Sequence, residues 1–157
     1  MDTASVLESL GVYAGSYVVA LLSGLLPLVN IELFLIGVVT LAPDSYSLVP
    51  LVAITTAGQM TAKIVMYWAG RGVLKISVGK YRAAMDKWKH RFESSEPRMW
   101  LFVFTSAAVG LPPFFIISIL AGTFRIHFWR FLAVGYLGRA LRFALFVAFP
   151  AFMMDWF

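Results

Sequence analysis

The chain has 157 residues, of which 61% are hydrophobic and 13% charged, and its mean hydropathy is +0.83. This composition excludes a water-soluble domain with a single buried core and indicates several membrane-embedded segments. The absence of cysteine excludes disulfides, thiol nucleophiles and cysteine-ligated metals. The net charge of +5 would suit a nucleic-acid binder. The positions of the basic residues indicate membrane topology instead, so no nucleic-acid partner is expected.

The first apolar block covers residues 10–42 and is interrupted at 26–32 by Leu-Pro-Leu-Val-Asn-Ile-Glu. Its 33 residues exceed the roughly 20 that one bilayer crossing needs and fall short of the about 40 needed for two. This length predicts a re-entrant hairpin over 11–41 with Pro27 at its tip. Irregular backbone at membrane depth persists only where it is buried in protein or lines a watery cavity. The residues before this block carry no base, so the N-terminus is predicted to be mature.

Four further segments follow in the order span, basic linker, hairpin and span. They cover residues 51–69, 71–98, 99–124 and 128–149. The arms of the second hairpin are again too short to cross, and Pro112 and Pro113 lie at its tip. Pro27 and Gly37 are ten residues apart, and so are Pro112 and Gly122. The recurring order predicts an inverted repeat, with residues 1–70 and 99–157 as its halves, as in many transporters.

The linker has apolar residues at spacings of three and four, which predicts an amphipathic helix. These residues are Leu74, Val78, Tyr81, Met85, Trp88 and Phe92. Such a basic helix either lies in an anionic headgroup layer or packs on the base of the protein itself. Ten of the thirteen Lys and Arg residues fall in 71–98 and in the turn at 125–130. This bias predicts a plasma (inner) membrane protein with a cytoplasmic linker, both termini outside and Arg125 facing lipid headgroups.

Four charged residues remain inside the apolar blocks: Glu32, Lys63, Arg139 and Arg142. Each costs at least about 2.5–3.5 kcal/mol at the bilayer centre, so each should pair or face water. Arg139 and Arg142 are three residues apart and share a helix face. One hypothesis is a pathway in which Glu32 exchanges a proton while the arginines hold an anionic group. The alternative is a salt bridge from Glu32 to either arginine that locks the first hairpin to the last span.

Two further residues belong to the predicted pathway with less specific roles. Lys63 either extends its ammonium to the cytoplasmic surface or joins the charged site. Asn30 lies beside the hairpin tip, where capping of the second arm is its expected use. The two histidines are far apart in the sequence, and no nucleophile motif or phosphate-binding loop is present. No catalytic residue, metal or cofactor is therefore predicted, and an enzyme is the weakest hypothesis.

Three stretches resemble the DedA/VTT (SNARE-associated Golgi protein) superfamily, and most closely its short YqaA-like branch. They are residues 25–27 with Asn30 and Glu32, residues 121–126, and Phe131 with residues 138–143. The resemblance implies two facing re-entrant hairpins. It also implies movement of phospholipids or polyprenyl-phosphate carriers between leaflets, with proton coupling proposed in bacteria. By position, Glu32 matches the family's hairpin glutamate, and Arg139 and Arg142 match the basic pair of the short branch.

The chain departs from the longer members of that superfamily around its second hairpin. Ala108 and Phe114 occupy the positions nearest to where those members carry arginines, and Ile117 corresponds to Glu32. Glu32 is therefore the one carboxylate that the sequence predicts within the membrane.

The expected fold is an all-α polytopic membrane protein. It has two re-entrant helical hairpins and two full transmembrane helices in an inverted-repeat arrangement, plus a cytoplasmic amphipathic helix. The expected function is lipid flippase or scramblase transport through a polar groove between the hairpin tips. Membrane lipids with anionic headgroups are the expected partners, and a homodimer is compatible with so short a chain. Two alternatives remain, namely a small-ion or small-solute transporter and a non-transporting membrane assembly factor.

Overall fold

The computed structural model describes residues 3–26, 29–41, 46–72, 83, 86–88, 93 and 95–156. Within these residues the chain forms six long or medium α-helices and no strand. They are α1 (Thr3–Leu25), α2 (Ile31–Leu41), α3 (Leu48–Gly70), α4 (Glu96–Val109), α5 (Phe114–Thr123) and α6 (Phe128–Trp156). The prediction of an all-helical membrane protein is confirmed.

Three helices among the described residues are long and apolar enough to cross a membrane, and these segments are Leu7–Leu25, Leu48–Gly70 and Phe128–Phe149. The sequence predicted two, because the arm at 11–26 was taken to be too short. That estimate was wrong, since α1 begins at Thr3 and has 23 residues. At 1.5 Å per residue it is about 34 Å long, enough for a full crossing. The predicted re-entrant hairpins and inverted repeat stay predictions, and Pro27 lies outside the described residues.

The chain divides into two compact units, and the division passes through α3 and α6. The first unit comprises Met1–Gln59 and Ala140–Phe157. One face of α2 is buried there, because Ile31, Leu35 and Val39 recur every four residues. They pack with residues of α1, α3 and α6, namely Ala20, Leu51, Phe143 and Val147.

Helices α1 and α3 approach closely in this first unit. A Cβ atom added to Gly58 would come within 2.5 Å of the Tyr17 carbonyl oxygen, so only glycine fits there. One residue further, Gln59 Nε2 donates a hydrogen bond of 2.5 Å to Ser23 Oγ. Small residues at the contact therefore allow polar groups of the two helices to bond directly, as is usual between membrane helices.

The second unit comprises Met60–Arg139. Its core contains stacked aromatic rings, with Tyr67 and Phe114 each packed on Phe131 at centroid distances of 5.3 and 5.9 Å. The Tyr67 hydroxyl donates a 2.7 Å hydrogen bond to the carbonyl oxygen of Ile126. This bond satisfies the polar end of a fully buried ring and fixes the turn between α5 and α6.

Helices α4 and α5 form a hairpin within the second unit. α4 ends at Gly110, whose φ of 88° is left-handed, and whose N–H donates to the Ser106 carbonyl. The Ser106 hydroxyl donates a 2.7 Å bond to the carbonyl of Pro112, which braces the buried side of the turn. α5 begins directly after Pro113. The predicted interruption by Pro112 and Pro113 is therefore a real break between two helices.

Most of the predicted linker helix lies outside the described residues, including Leu74, Val78, Tyr81, Met85 and Phe92. Of its apolar face only Trp88 is described, and this ring packs on Phe102 of α4 at 5.6 Å between centroids. The Lys87 ammonium lies 5.3 Å from the centre of the Trp88 ring. This contact favours packing of the linker on the protein at this point over an entirely lipid-facing helix.

Gly37 and Gly122, which occupy equivalent positions in the predicted repeat, have different surroundings. A Cβ atom on Gly122 would collide with the carbonyl oxygen of Tyr67, whereas one on Gly37 would meet nothing within 4 Å. Gly122 is needed for the close approach of α3 and α5, whereas Gly37 does not lie at such a close contact.

We therefore predict that Gly122→Ala lowers the apparent melting temperature in detergent by at least about 2 °C, because overpacking against backbone costs about 1–3 kcal/mol. Gly37→Ala is the matched control and should leave the melting temperature unchanged or raise it, because alanine favours a helix by about 0.5–1 kcal/mol. Equal effects of the two substitutions would contradict the close contact at Gly122.

Candidate functional site

An ion pair in the first unit connects α2 and α6. Arg142 Nε donates a 2.7 Å hydrogen bond to Glu32 Oε1. The Arg142 side chain is 21% exposed and the Glu32 side chain 18% exposed. The pair is therefore mostly buried, but part of each side chain is accessible from outside the protein. The sequence left the partner of Glu32 open between Arg139 and Arg142, and the structure assigns Arg142.

Local structure at the start of α2 orients Glu32. The Asn30 side-chain oxygen accepts a 3.1 Å hydrogen bond from the Leu33 N–H, so Asn30 caps the helix as predicted. Glu32 lies in the first turn, where the helix dipole favours a negative charge. The cap therefore fixes the start of α2, and Glu32 is held in the first turn that follows.

The guanidinium of Arg142 also has an aromatic neighbour. Its central carbon lies 5.4 Å from the centre of the Phe146 ring, one helical turn further along α6. A cation over an aromatic face is stabilised by roughly 0.5–2 kcal/mol, and more as water is removed. Phe146 was not among the predicted site residues. Its spacing of four residues from Arg142 is the signal that would have identified it.

The second unit contains a contrasting pair of like charges. Lys63 is 3% exposed and Arg139 is 8% exposed, and the two cations are close enough to interact electrostatically. The Arg139 guanidinium lies 5.1 Å from the centre of the Phe114 ring. The burial of Lys63 favours its place in an interior site over extension of its ammonium to the membrane surface. Two neighbouring buried basic side chains give this interior N–H donors of the kind that bind anions.

The remaining predicted residues lie at turns. Arg125 is exposed between α5 and α6, with a left-handed φ of 54°, and its N–H donates to the Gly122 carbonyl. An exposed cation at a turn is compatible with the predicted headgroup contact, which stays a prediction. Pro112 is buried and Pro113 exposed at the α4–α5 turn. The groove predicted between the two hairpins also stays a prediction.

The structure combines apolar helices long enough to cross a membrane with an ion pair in one unit and two buried basic side chains in the other. These features define a helical membrane protein with ionisable side chains among its helices. A family model for the VTT domain matches residues 26–152, and the chain therefore belongs to the VTT-domain family. This match confirms the resemblance to the DedA/VTT superfamily, while the assignment to its short YqaA-like branch stays a prediction. No curated protein and no solved structure matches the chain.

The Glu32–Arg142 pair allows a double-mutant test of its energetics. Glu32→Leu and Arg142→Leu should each lower stability by about 1–3 kcal/mol, because each leaves one charge in an apolar setting. The double variant should be less destabilised than the sum of the two single variants, because it removes both charges together. Urea or thermal unfolding in a fixed detergent measures all four proteins, and simple additivity would contradict a direct interaction.

The Asn30 cap gives a second prediction for this region. Asn30→Ala should lower stability by about 1 kcal/mol, because the Leu33 N–H loses its acceptor. Asn30→Ser is the control, since a serine hydroxyl can accept the same hydrogen bond. A serine variant as unstable as the alanine variant would show that Asn30 acts through something other than capping.

Proposed function

We propose that this protein moves membrane lipids between the leaflets of the bilayer, with phosphate-bearing headgroups contacting the charged residues among its apolar helices. The observation that carries the proposal is the partly exposed Glu32–Arg142 ion pair. Ionisable groups within membrane helices mark substrate or ion pathways by default, because inert ones are costly to keep. Membership of the VTT-domain family supports the same function.

The chemistry of Arg142 fits a phosphate headgroup. A guanidinium has five N–H donors in a planar fork that matches phosphate oxygens, so one arginine can bind a carboxylate and a phosphate together. Charge-assisted bonds of this kind are roughly twice as strong as neutral ones. Glu32 would neutralise Arg142 between passages of the headgroup.

The second unit would contribute a distinct attraction for phosphate. Lys63 and Arg139 place two basic side chains in a mostly apolar interior, where electrostatic interactions are stronger than in water. An anionic headgroup entering this interior would relieve their mutual repulsion. We propose that Lys63 and Arg139 contact phosphate within the second unit, as Arg142 does within the first.

The finer topology forms part of the same proposal. Although α1 is long enough to cross, α1 and α2 would together return to the side where α1 begins, and α4 and α5 would form a second re-entrant hairpin. The first hairpin would bring Glu32 to membrane depth. The linker at 71–98 would lie in the cytoplasm, with both termini outside, in the inner membrane. The distribution of basic residues supports this orientation, because cytoplasmic segments carry the excess of lysine and arginine.

The second candidate function of this ion pair is purely structural: a salt bridge, here called a structural lock, that joins α2 to α6. Because Arg142 and Glu32 already satisfy each other, the pair could serve only to join α2 and α6 in a protein that assembles or holds partners. The distinction is testable, because a lock needs opposite charges in contact, whereas a pathway needs an arginine at a defined position.

Reconstitution into liposomes with a fluorescent phospholipid tests the transport proposal. Glu32→Gln, Arg142→Gln and Arg139→Gln should each reduce the rate of exchange between leaflets by about tenfold or more, since a lost charged hydrogen bond is worth about 1.5–3 kcal/mol. Arg130→Gln is the matched control. It breaks the Arg130–Glu96 pair, whose side chains are 63% and 62% exposed, and should change the rate less than about twofold.

The charge-swapped variant Glu32→Arg with Arg142→Glu separates the two candidates. A structural lock predicts that the swap restores both stability and any function. A lipid pathway predicts a folded protein with slow lipid exchange. Rates in all variants equal to those of protein-free liposomes, with wild type no faster, would remove the transport proposal.

A further inference from the structure

The first unit contains an apolar groove directly beside the ion pair. It has a volume of about 340 Å³ and is lined by Ile36, Leu145, Phe146 and Phe149. Leu145 and Phe149 are 63% and 69% exposed, so the groove opens outward instead of being enclosed. These four residues are apolar, and Glu32 and Arg142 lie one helical turn away from Ile36 and Phe146 on the same two helices.

The spacing along both helices makes the pair and the groove one continuous surface. Ile36 follows Glu32 by four residues, and Phe146 follows Arg142 by four residues. Each step is about one helical turn, or 5.4 Å. Phe146 belongs to both parts, since its ring lies under the Arg142 guanidinium and also lines the groove. An amphiphilic molecule would thus meet charges first and apolar side chains one turn further.

The charged residues of the first unit limit which lipid headgroups can bind at the Glu32–Arg142 pair. Arg142 is the one basic residue in the sequence of the first unit, and Glu32 lies directly on it. A headgroup that carries only negative charge would gain one cation and be repelled by the adjacent carboxylate. A zwitterionic headgroup can place its phosphate on Arg142 and its amine on Glu32. Each of the two side chains then exchanges its protein partner for a group of opposite charge on the lipid.

We propose that this groove holds one alkyl chain of a zwitterionic phospholipid whose headgroup binds at the Glu32–Arg142 pair. This inference rests on the proposed function and names its lipid class. The volume is at the low end of small-molecule pockets, which are about 300–1,000 Å³, and suits a single chain. Because surrounding lipid is as apolar as the groove, the groove orients the chain and the charged pair supplies selectivity.

Binding to the purified full-length protein in detergent tests the inference without any transport measurement. The probes are phosphatidylethanolamine and phosphatidic acid with the same chains, measured by native mass spectrometry. Wild type should bind phosphatidylethanolamine about tenfold more tightly, equivalent to about 1.4 kcal/mol. Ile36→Trp, which fills the groove, should weaken that binding about fivefold. Leu41→Trp is the matched control on α2, because Leu41 is 86% exposed and does not line the groove.

Several outcomes would overturn the inference. They are tighter binding of phosphatidic acid, unchanged binding by Ile36→Trp, or equal weakening by Leu41→Trp. A change from dimer to monomer in Ile36→Trp with unchanged lipid binding would assign the groove to a second copy of the chain. If Ile36→Trp fails to fold, Leu145→Trp replaces it, since its exposed position tolerates a larger ring.

The lipid-binding result is independent of the transport result. Selective binding without any exchange between leaflets would remove the transport proposal and leave the lipid site. Unchanged lipid binding in Ile36→Trp, with normal exchange by wild type, would remove the site and leave transport.

Discussion

The interaction on which the site depends is the contact between Arg142 and Glu32 among apolar helices. Neither charge is tolerable alone in such surroundings, because its hydration is lost and nothing replaces it. Together they form a charge-assisted bond of 2.7 Å that connects the start of α2 with α6. Helix α2 has only 11 residues, and its Asn30 cap and one buried face fix where Glu32 points. The short helix α2 therefore holds the Glu32 carboxylate in a well-defined position.

Close approach of backbones holds the rest of each unit together. In the first unit Gly58 lies against the backbone of α1, and in the second unit Gly70 and Gly122 let α3 and α5 touch. The Thr123 hydroxyl donates a 3.2 Å bond to the Gly70 carbonyl at that contact. Between membrane helices, packing and hydrogen bonds of this kind replace the hydrophobic driving force available in water. The charged groups therefore rest on helices whose separation is fixed.

Helix content, the break before α2 and the proline turn between α4 and α5 were predictable, because apolar runs and proline act locally. The Asn30 cap was predictable for the same reason. The start of α1 was missed because polar residues near the N-terminus were read as lying outside the helix. The choice between Arg139 and Arg142 depends on the rotation of α6, which residues three apart do not determine. The different packing of Gly37 and Gly122 likewise depends on neighbours that are distant in sequence.

Helix α6 contributes one arginine to each unit, and the two arginines have opposite electrostatic settings. Arg142 is neutralised by Glu32, whereas Arg139 has the buried Lys63 as an electrostatic neighbour. A site that moves its ligand must bind it firmly enough to admit it and weakly enough to release it, as in ion conduction. An unneutralised arginine in an apolar interior would retain a phosphate strongly. In the proposed function, Glu32 would lower the affinity of Arg142 for phosphate by competing for the guanidinium, so the pair would exchange partners at low net cost. In the proposed site the acid would thus serve release of the phosphate as well as contact with the headgroup amine.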